Sequence, residues 1–263
     1  MKKHLYLLLA VATLFLGCNE PNTPEPSNGV YTVEGISFKM IFVEGGTFEM
    51  GATSEMENPW NDELPVHQVT VSDFYLCEVE VTQALWEALM DTNYSSFLGA
   101  ELPVQEVSWN ECQEFISRLN KQTGETFRLP TEAEWEFAAR GGNLSNHTQF
   151  AGSSNIDEVA WYANNSGETP HPVAQKLPNE LGLYDMSGNV WEWCSDYFGD
   201  YPDEPQTNPQ GPEKGGYHVY RGGSWFGAER STRISTRDRF GSNESNYNLG
   251  LRLALTKPSN GKR

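Results

Sequence analysis

The sequence predicts an α+β fold with little regular secondary structure: short strands and capped helices first, then a long irregular half. Three observations predict it. Two helix starts carry complete capping signatures, Ser108 with Glu111 and Thr131 with Glu134. Apolar and β-branched runs such as FKMIFV at 38–43 and HQVTVSDFYLC at 67–77 read as strands. After Gly142 no apolar pattern of helical period lasts more than a turn or two, and Gly, Asn, Asp and Pro punctuate short aromatic segments. The 263 residues suit one large domain, and an aromatic content of 12 % argues for a packed core rather than a disordered chain.

The chain opens MKKHLYLLLAVATLFLGCNE, with Lys2 and Lys3 before an apolar run from Leu5 to Leu16 that is too short to span a bilayer and has the build of a secretory signal. Its end, FLGC at 15–18, resembles a bacterial lipobox. That resemblance implies that Cys18 is lipidated and becomes the mature N-terminus. The expected organisation is a lipoprotein signal peptide at 1–17, a lipidated cysteine and flexible tether at 18–34, one domain at 35–256 and a tail at 257–263. Within the tether, NEPNTPEPSN at 19–28 has the Pro-, Asn- and Glu-rich composition of a spacer.

Each later element has its own signal. FKMIFVEGGTFEM at 38–50 reads as a hairpin turning at Gly45 and Gly46, and 67–77 as a further strand. A short helix is expected over 83–90. Behind the Ser108 cap, Cys112, Phe115, Ile116 and Leu119 follow at i, i+3, i+4 and i+7, and this helix ends near Gly124. Behind the Thr131 cap, Trp135, Ala138 and Ala139 share a face, and Gly141 and Gly142 stop the helix. Strands are expected at 218–221 and 250–255.

With 18 basic and 36 acidic residues the formal net charge is −18, and it becomes two units more negative if Lys2 and Lys3 leave with the signal. Such a charge repels phosphate backbones, so nucleic-acid binding is disfavoured. Beyond Cys18 three cysteines remain, Cys77, Cys112 and Cys194, enough for one disulfide at most, and none has zinc spacing. Cys77 in a strand and Cys112 on an apolar helix face read as small buried hydrophobes.

Seven runs in order resemble the formylglycine-generating enzymes, also called sulfatase-modifying factors: VEGGTFEMG at 43–51, PVHQVTVSDFYLCEVEVTQALW at 65–86, PVQEVSW at 103–109, RLPTEAEWEFAARGG at 128–142, LGLYDMSGNVWEWCSD at 181–196, RGGSW at 221–225 and NLGLRLAL at 248–255. The resemblance implies a variant C-type-lectin-like fold with a small twisted sheet, a few short helices and bound calcium. It implies a calcium site from the backbone carbonyls of Ser187, Gly188 and Val190 and the carboxylate of Glu192, a ligand set suited to a hard cation. Read from residues alone, the same stretch is equally a structural turn with Glu192 in a salt bridge. A second, weaker site falls near Asn155 and Ile156.

The oxidase members hold copper(I) on two cysteines, soft ligands for a soft metal. Alignment on RGGSW puts those positions at Gly227 and Thr232, so copper is not expected and no catalytic residue is assigned. Ser224 is retained, and Arg221, Ser224 and Trp225 are expected to line a groove for a peptide or glycan. Arg233, Arg237 and Arg252 read as internal ion pairs or an anion site. The expected protein is an outer-membrane or cell-surface lipoprotein of a Gram-negative bacterium, a calcium-stabilised binding or scaffold module with an envelope partner. The alternative is an enzyme of the wider family that works without the cysteine pair on an exported protein or small molecule.

Overall fold

The structure, a computed structural model, describes residues 29–256. The expected signal peptide, Cys18, the tether to residue 28 and the tail lie outside the described residues. Within them no helix is long and apolar enough to cross a membrane.

Strand β1 (Gly29–Val33) pairs antiparallel with β2 (Ile36–Val43) around a turn at Glu34 and Gly35, both with positive φ. Residues 29–33 of the expected tether therefore belong to the domain: Val33 is buried, and each residue of the strand has a ladder partner. The five-stranded sheet runs β1-β2-β5-β12-β6 and is antiparallel throughout, with β5 at Phe74–Cys77, β6 at Phe127–Arg128 and β12 at Ala254–Thr256. The last described strand thus pairs inside the sheet that the first one starts.

The 38–50 hairpin is not formed. Instead β3 (Gly46–Met50) leaves β2 and pairs antiparallel with β4 (His67–Val71), in a three-stranded sheet completed by β8 (Gln206–Thr207), parallel to β4. Gly45 is a crossing point rather than a hairpin turn. A Cβ there would lie 2.5 Å from the Val71 carbonyl oxygen, and the Gly45 N–H donates to Asp73 Oδ1 at 2.9 Å. For the same reason the single strand expected at 67–77 is two strands, β4 and β5, divided at Ser72 and Asp73 between two sheets.

The helices match their signals. Helix α1 (Gln83–Glu87) is shorter than the expected 83–90. Helix α2 (Trp109–Thr123) and helix α3 (Glu132–Ala139) both start in capping boxes, and α2 ends on Gly124 at φ 75°. Trp86 and Phe115 stack at 5.0 Å between α1 and α2, in a core shared with Met40, Leu119 and Phe127. A single turn, α4 (Ile156–Val159), is the helix of the irregular half.

That half closes through a four-stranded sheet, β10 (Arg237–Phe240), β9 (His218–Arg221), β7 (Trp191–Tyr197) and β11 (Leu249–Leu251), with β11 parallel to β7. The strand expected at 250–255 breaks at Arg252 and Leu253 into β11 and β12 of different sheets. Helix α3 packs against β3, β4, β7 and β9, so its side chains reach both of the smaller sheets.

Candidate functional site

The RGGSW loop leaves β9 through Gly222 and Gly223, at φ 101° and 78°. Gly223 is required sterically as well, because a Cβ there would lie 2.7 Å from Thr232 Cα. The loop folds onto itself. Ser224 is fully buried, and its Oγ accepts from Asn248 Nδ2 at 2.9 Å. Thr232, fully buried, donates its hydroxyl to the Glu229 carbonyl at 2.8 Å. A Cβ on Gly227 would lie 2.4 Å from Ser231 Oγ, the rotatable end of a partly exposed side chain, and 3.3 Å from the Ser224 carbonyl oxygen. At the two positions where the resemblance implies copper ligands, the loop carries a partly exposed glycine and a buried threonine.

The loop shows Phe226, Ala228, Glu229 and Arg230 to solvent. Trp225, itself buried, is ringed by Phe97 at 5.2 Å, Phe226 at 5.5 Å and Tyr247 at 5.7 Å, and Phe226 and Tyr247 are exposed. Two cavities lie elsewhere. One of about 670 Å³ runs along β3 past Phe48, Phe137 and Asn143, and another of about 280 Å³ adjoins His67 and Asp196; Ser224 and Trp225 line neither.

Arg221 does not line a groove, which corrects the expectation. It is fully buried, and its guanidinium is bonded to Glu136, to Glu132 at 3.1 Å and to the carbonyls of Ile234 and Ser235. A buried guanidinium is tolerated only when paired, and α3 supplies the pairs. Glu132 also accepts from Arg237 at 2.6 and 2.7 Å and from the Tyr201 hydroxyl at 3.1 Å. Glu136 also accepts from Arg140 and from the Gly51 N–H. Arg233 pairs with Glu63, so Arg233, Arg237 and Arg252 all lie in internal ion pairs. The hub pair Glu132 and Glu136 was not legible in the sequence; of the three acids of α3, Glu134 belongs to the capping box, and the i, i+4 spacing of the other two beside Trp135 was the available signal.

Glu192 lies on β7 opposite Gly250 of β11. Its Oε1 accepts from Arg252 Nε and Nη2 at 3.0 and 2.7 Å, and its Oε2 from Arg252 Nε at 2.9 Å and Trp135 Nε1 at 2.7 Å. A carboxylate has about four acceptor positions, and three N–H groups face them, that of Arg252 Nε shared by both oxygens. A cation on this group would have to displace Arg252 or Trp135, so the residues as folded do not fit calcium through Glu192. They fit the alternative reading, a structural turn with Glu192 in a salt bridge. Around it, Ser187 Oγ accepts from the Ala151 N–H, the Gly188 N–H donates to Gly222, and the Val190 N–H donates to the buried Glu80. Asn155 caps α4 by accepting from the Asp157 N–H, and the Ile156 carbonyl accepts from Ala160.

The three cysteines are buried and unbridged. Burial pushes the Cys77 thiol up to about 11 and raises those of Cys112 and Cys194 well above the ordinary value, so none is held as a reactive thiolate.

Comparison with known proteins follows this geometry closely. Residues 33–257 match the family model described as the sulfatase-modifying factor enzyme 1-like domain. The chain is 32 % identical to "Chaperone protein LppX" of Paenibacillus barcinonensis, over 98 % of this chain and 100 % of that protein. It is 30 % identical to the formylglycine-generating enzyme of Streptomyces coelicolor, over 81 % of this chain and 88 % of that one. Among solved structures, Treponema denticola variable protein 1 superposes with a TM-score of 0.80 at 30 % identity, covering 88 % of this chain and 100 % of that chain. The fold is the variant C-type-lectin-like fold, and the chain belongs to the family of sulfatase-modifying factor enzyme 1-like domains.

Proposed function

We propose that this protein is an exported, lipid-anchored member of the family that does not carry out the copper oxidase reaction and instead binds an exported polypeptide. The observation that carries the reading is the glycine at 227 and the buried threonine at 232, where the family resemblance puts the oxidase's two thiolates. The buried cysteines, with raised thiol pKa values, offer no substitute pair. Support for a binding role comes from the exposed Phe226 and Tyr247 over Trp225, since aromatic faces supply large contact area at low entropic cost. A relative named as a chaperone, alike over essentially the whole of both chains, also favours a polypeptide partner. The exported location rests on the signal architecture and the lipobox-like FLGC.

The enzyme reading rests on Ser224, retained and oriented by Asn248. Ser224 makes no hydrogen bond to a carboxylate or an arginine and lies fully buried under an aromatic surface, which favours binding over catalysis. The test is mass spectrometry of a Cys-x-Pro-x-Arg peptide incubated with the protein, copper(I) and oxygen, beside an active relative. No conversion is expected; formylglycine in the peptide would overturn the reading.

A further inference from the structure

The cavity of about 280 Å³ between α3 and the 196–212 segment has a floor that the packing leaves incomplete. Asp196, only 4 % exposed, lines it. Its Oδ2 accepts from the Glu132 N–H at 3.0 Å and the Ser195 hydroxyl at 2.9 Å, while Oδ1 has no hydrogen-bond partner among the described residues. His67, 4 % exposed, lines the same cavity, with Nδ1 at 3.1 Å from the Pro65 carbonyl oxygen. A carbonyl only accepts, so Nδ1 carries a proton, and in that tautomer the lone pair is on Nε2, which has no hydrogen-bond partner among the described residues. The neighbouring charges are engaged. Glu132 is covered by Arg221, Arg237 and Tyr201, and Arg237 is turned to Glu132, Gly199 and Asp62 while it stacks on Phe198 and Tyr201.

Two unmatched acceptors, one of them a carboxyl, call for a cation with several N–H donors. Tyr197, Tyr201 and Pro212 form walls suited to methylene groups and to cation–π contact. The volume lies just under the range of about 300–1,000 Å³ usual for small-molecule sites, which limits the occupant to a group of side-chain size. We propose that this pocket binds a primary alkylammonium group, carried by a free amine or by a lysine side chain.

The electrostatics agree. Burial first, and then the charge of Glu132, push Asp196 up to about 7, with Glu134 adding to the effect. A bound ammonium holds Asp196 ionised, so binding releases a proton below about pH 7 and tightens between about pH 6 and about pH 8. The titratable and charged groups facing Asp196 or lining its pocket are Glu132 and Glu134 of α3, His67 of β4, Cys194 and Tyr197 of β7, His218 of β9, Arg237 of β10, and Asp200 and Tyr201 of the connecting segment, with Arg221 of β9 behind them on Glu132.

Isothermal titration calorimetry on the full chain in detergent, with butylammonium and Nα-acetyl-lysine amide as ligands and 1-butanol and tetramethylammonium as controls, tests the proposal. The two primary ammonium ligands are expected to bind about tenfold or more tighter than the controls, and Asp196→Asn to weaken them about tenfold or more. Tighter binding of the lysine amide assigns the site to a lysine side chain, and tighter binding of butylammonium to a free amine. Equal binding of 1-butanol, undiminished binding by a folded Asp196→Asn protein, or no binding of either amine overturns the proposal. A readout that needs no variant is proton release, measured at about pH 6.5 in two buffers of different ionisation enthalpy. Its absence on amine binding also overturns it.

Discussion

The RGGSW loop and the Asp196 pocket stand in contrast. Around the loop Glu136, Glu63 and Glu192 each face an arginine. In the pocket the Asp196 carboxyl has one oxygen satisfied and the other open. Both regions hang on α3, and both are built from charge deep in the domain. The difference teaches that buried charge can serve two ends: paired with an arginine it holds the chain in place, and beside a cavity it offers the contact on which the proposed ammonium site rests.

The largest expected effect tests the first meaning. Glu136→Gln places an amide where Arg140, Arg221 and the Gly51 N–H all donate, and leaves two buried guanidinium groups short of charge. A loss of about 3–5 kcal/mol in urea unfolding is expected. A loss under about 1 kcal/mol would mean that the network does not hold the loop.

Glu192→Gln comes next. Arg252 keeps the carbonyls of Cys77 and Tyr184, and the expected loss is about 2–3 kcal/mol. Because the carboxylate is engaged by Arg252 and Trp135, the melting temperatures of both the native and the variant protein are expected to be indifferent to calcium and chelator. A calcium-dependent melt of the native protein, abolished in the variant, would restore the ion that the family resemblance implies.

The smallest effect has the opposite sign. The folded value of Asp196, about 7, is above its ordinary 3.8, so the folded state holds a proton that the unfolded chain has given up. Stability contributed by this group falls as pH rises from about 4 to about 7 and is level above that. Asp196→Asn removes the penalty, and the variant is expected to melt about 2–6 °C higher at about pH 8, with the gap closing toward about pH 4. A variant less stable than the native protein at every pH would place Asp196 with the structural carboxylates.

Much of the fold was legible locally. The capping boxes at Ser108 and Thr131, the i, i+3, i+4, i+7 face of α2 and the scarcity of helix after Gly142 are properties of neighbouring residues, and the structure follows them. The strand partners were not legible. The hairpin reading of 38–50 failed because Gly45 and Gly46 suit a tight turn and a close crossing equally well, and the nearby Val71 backbone that decides between them lies 26 positions downstream. The absence of thiols at Gly227 and Thr232 could be read directly, and so could the charge that disfavours nucleic acid.

By itself, then, the sequence determined the starts of α2 and α3 and the family frame, because each depends on residue identity and short spacing. Only the tertiary structure decided that Arg221 leaves the groove for Glu132 and Glu136, that Glu192 is taken up by Arg252 and Trp135, and that Asp196 keeps an open oxygen. The partner of a buried charge can come from any part of the chain. Glu192 and Arg252 are 60 residues apart, and Glu63 and Arg233 are 170 apart. Which acid finds which base is set by the packing of three sheets around α3, and no local pattern records it.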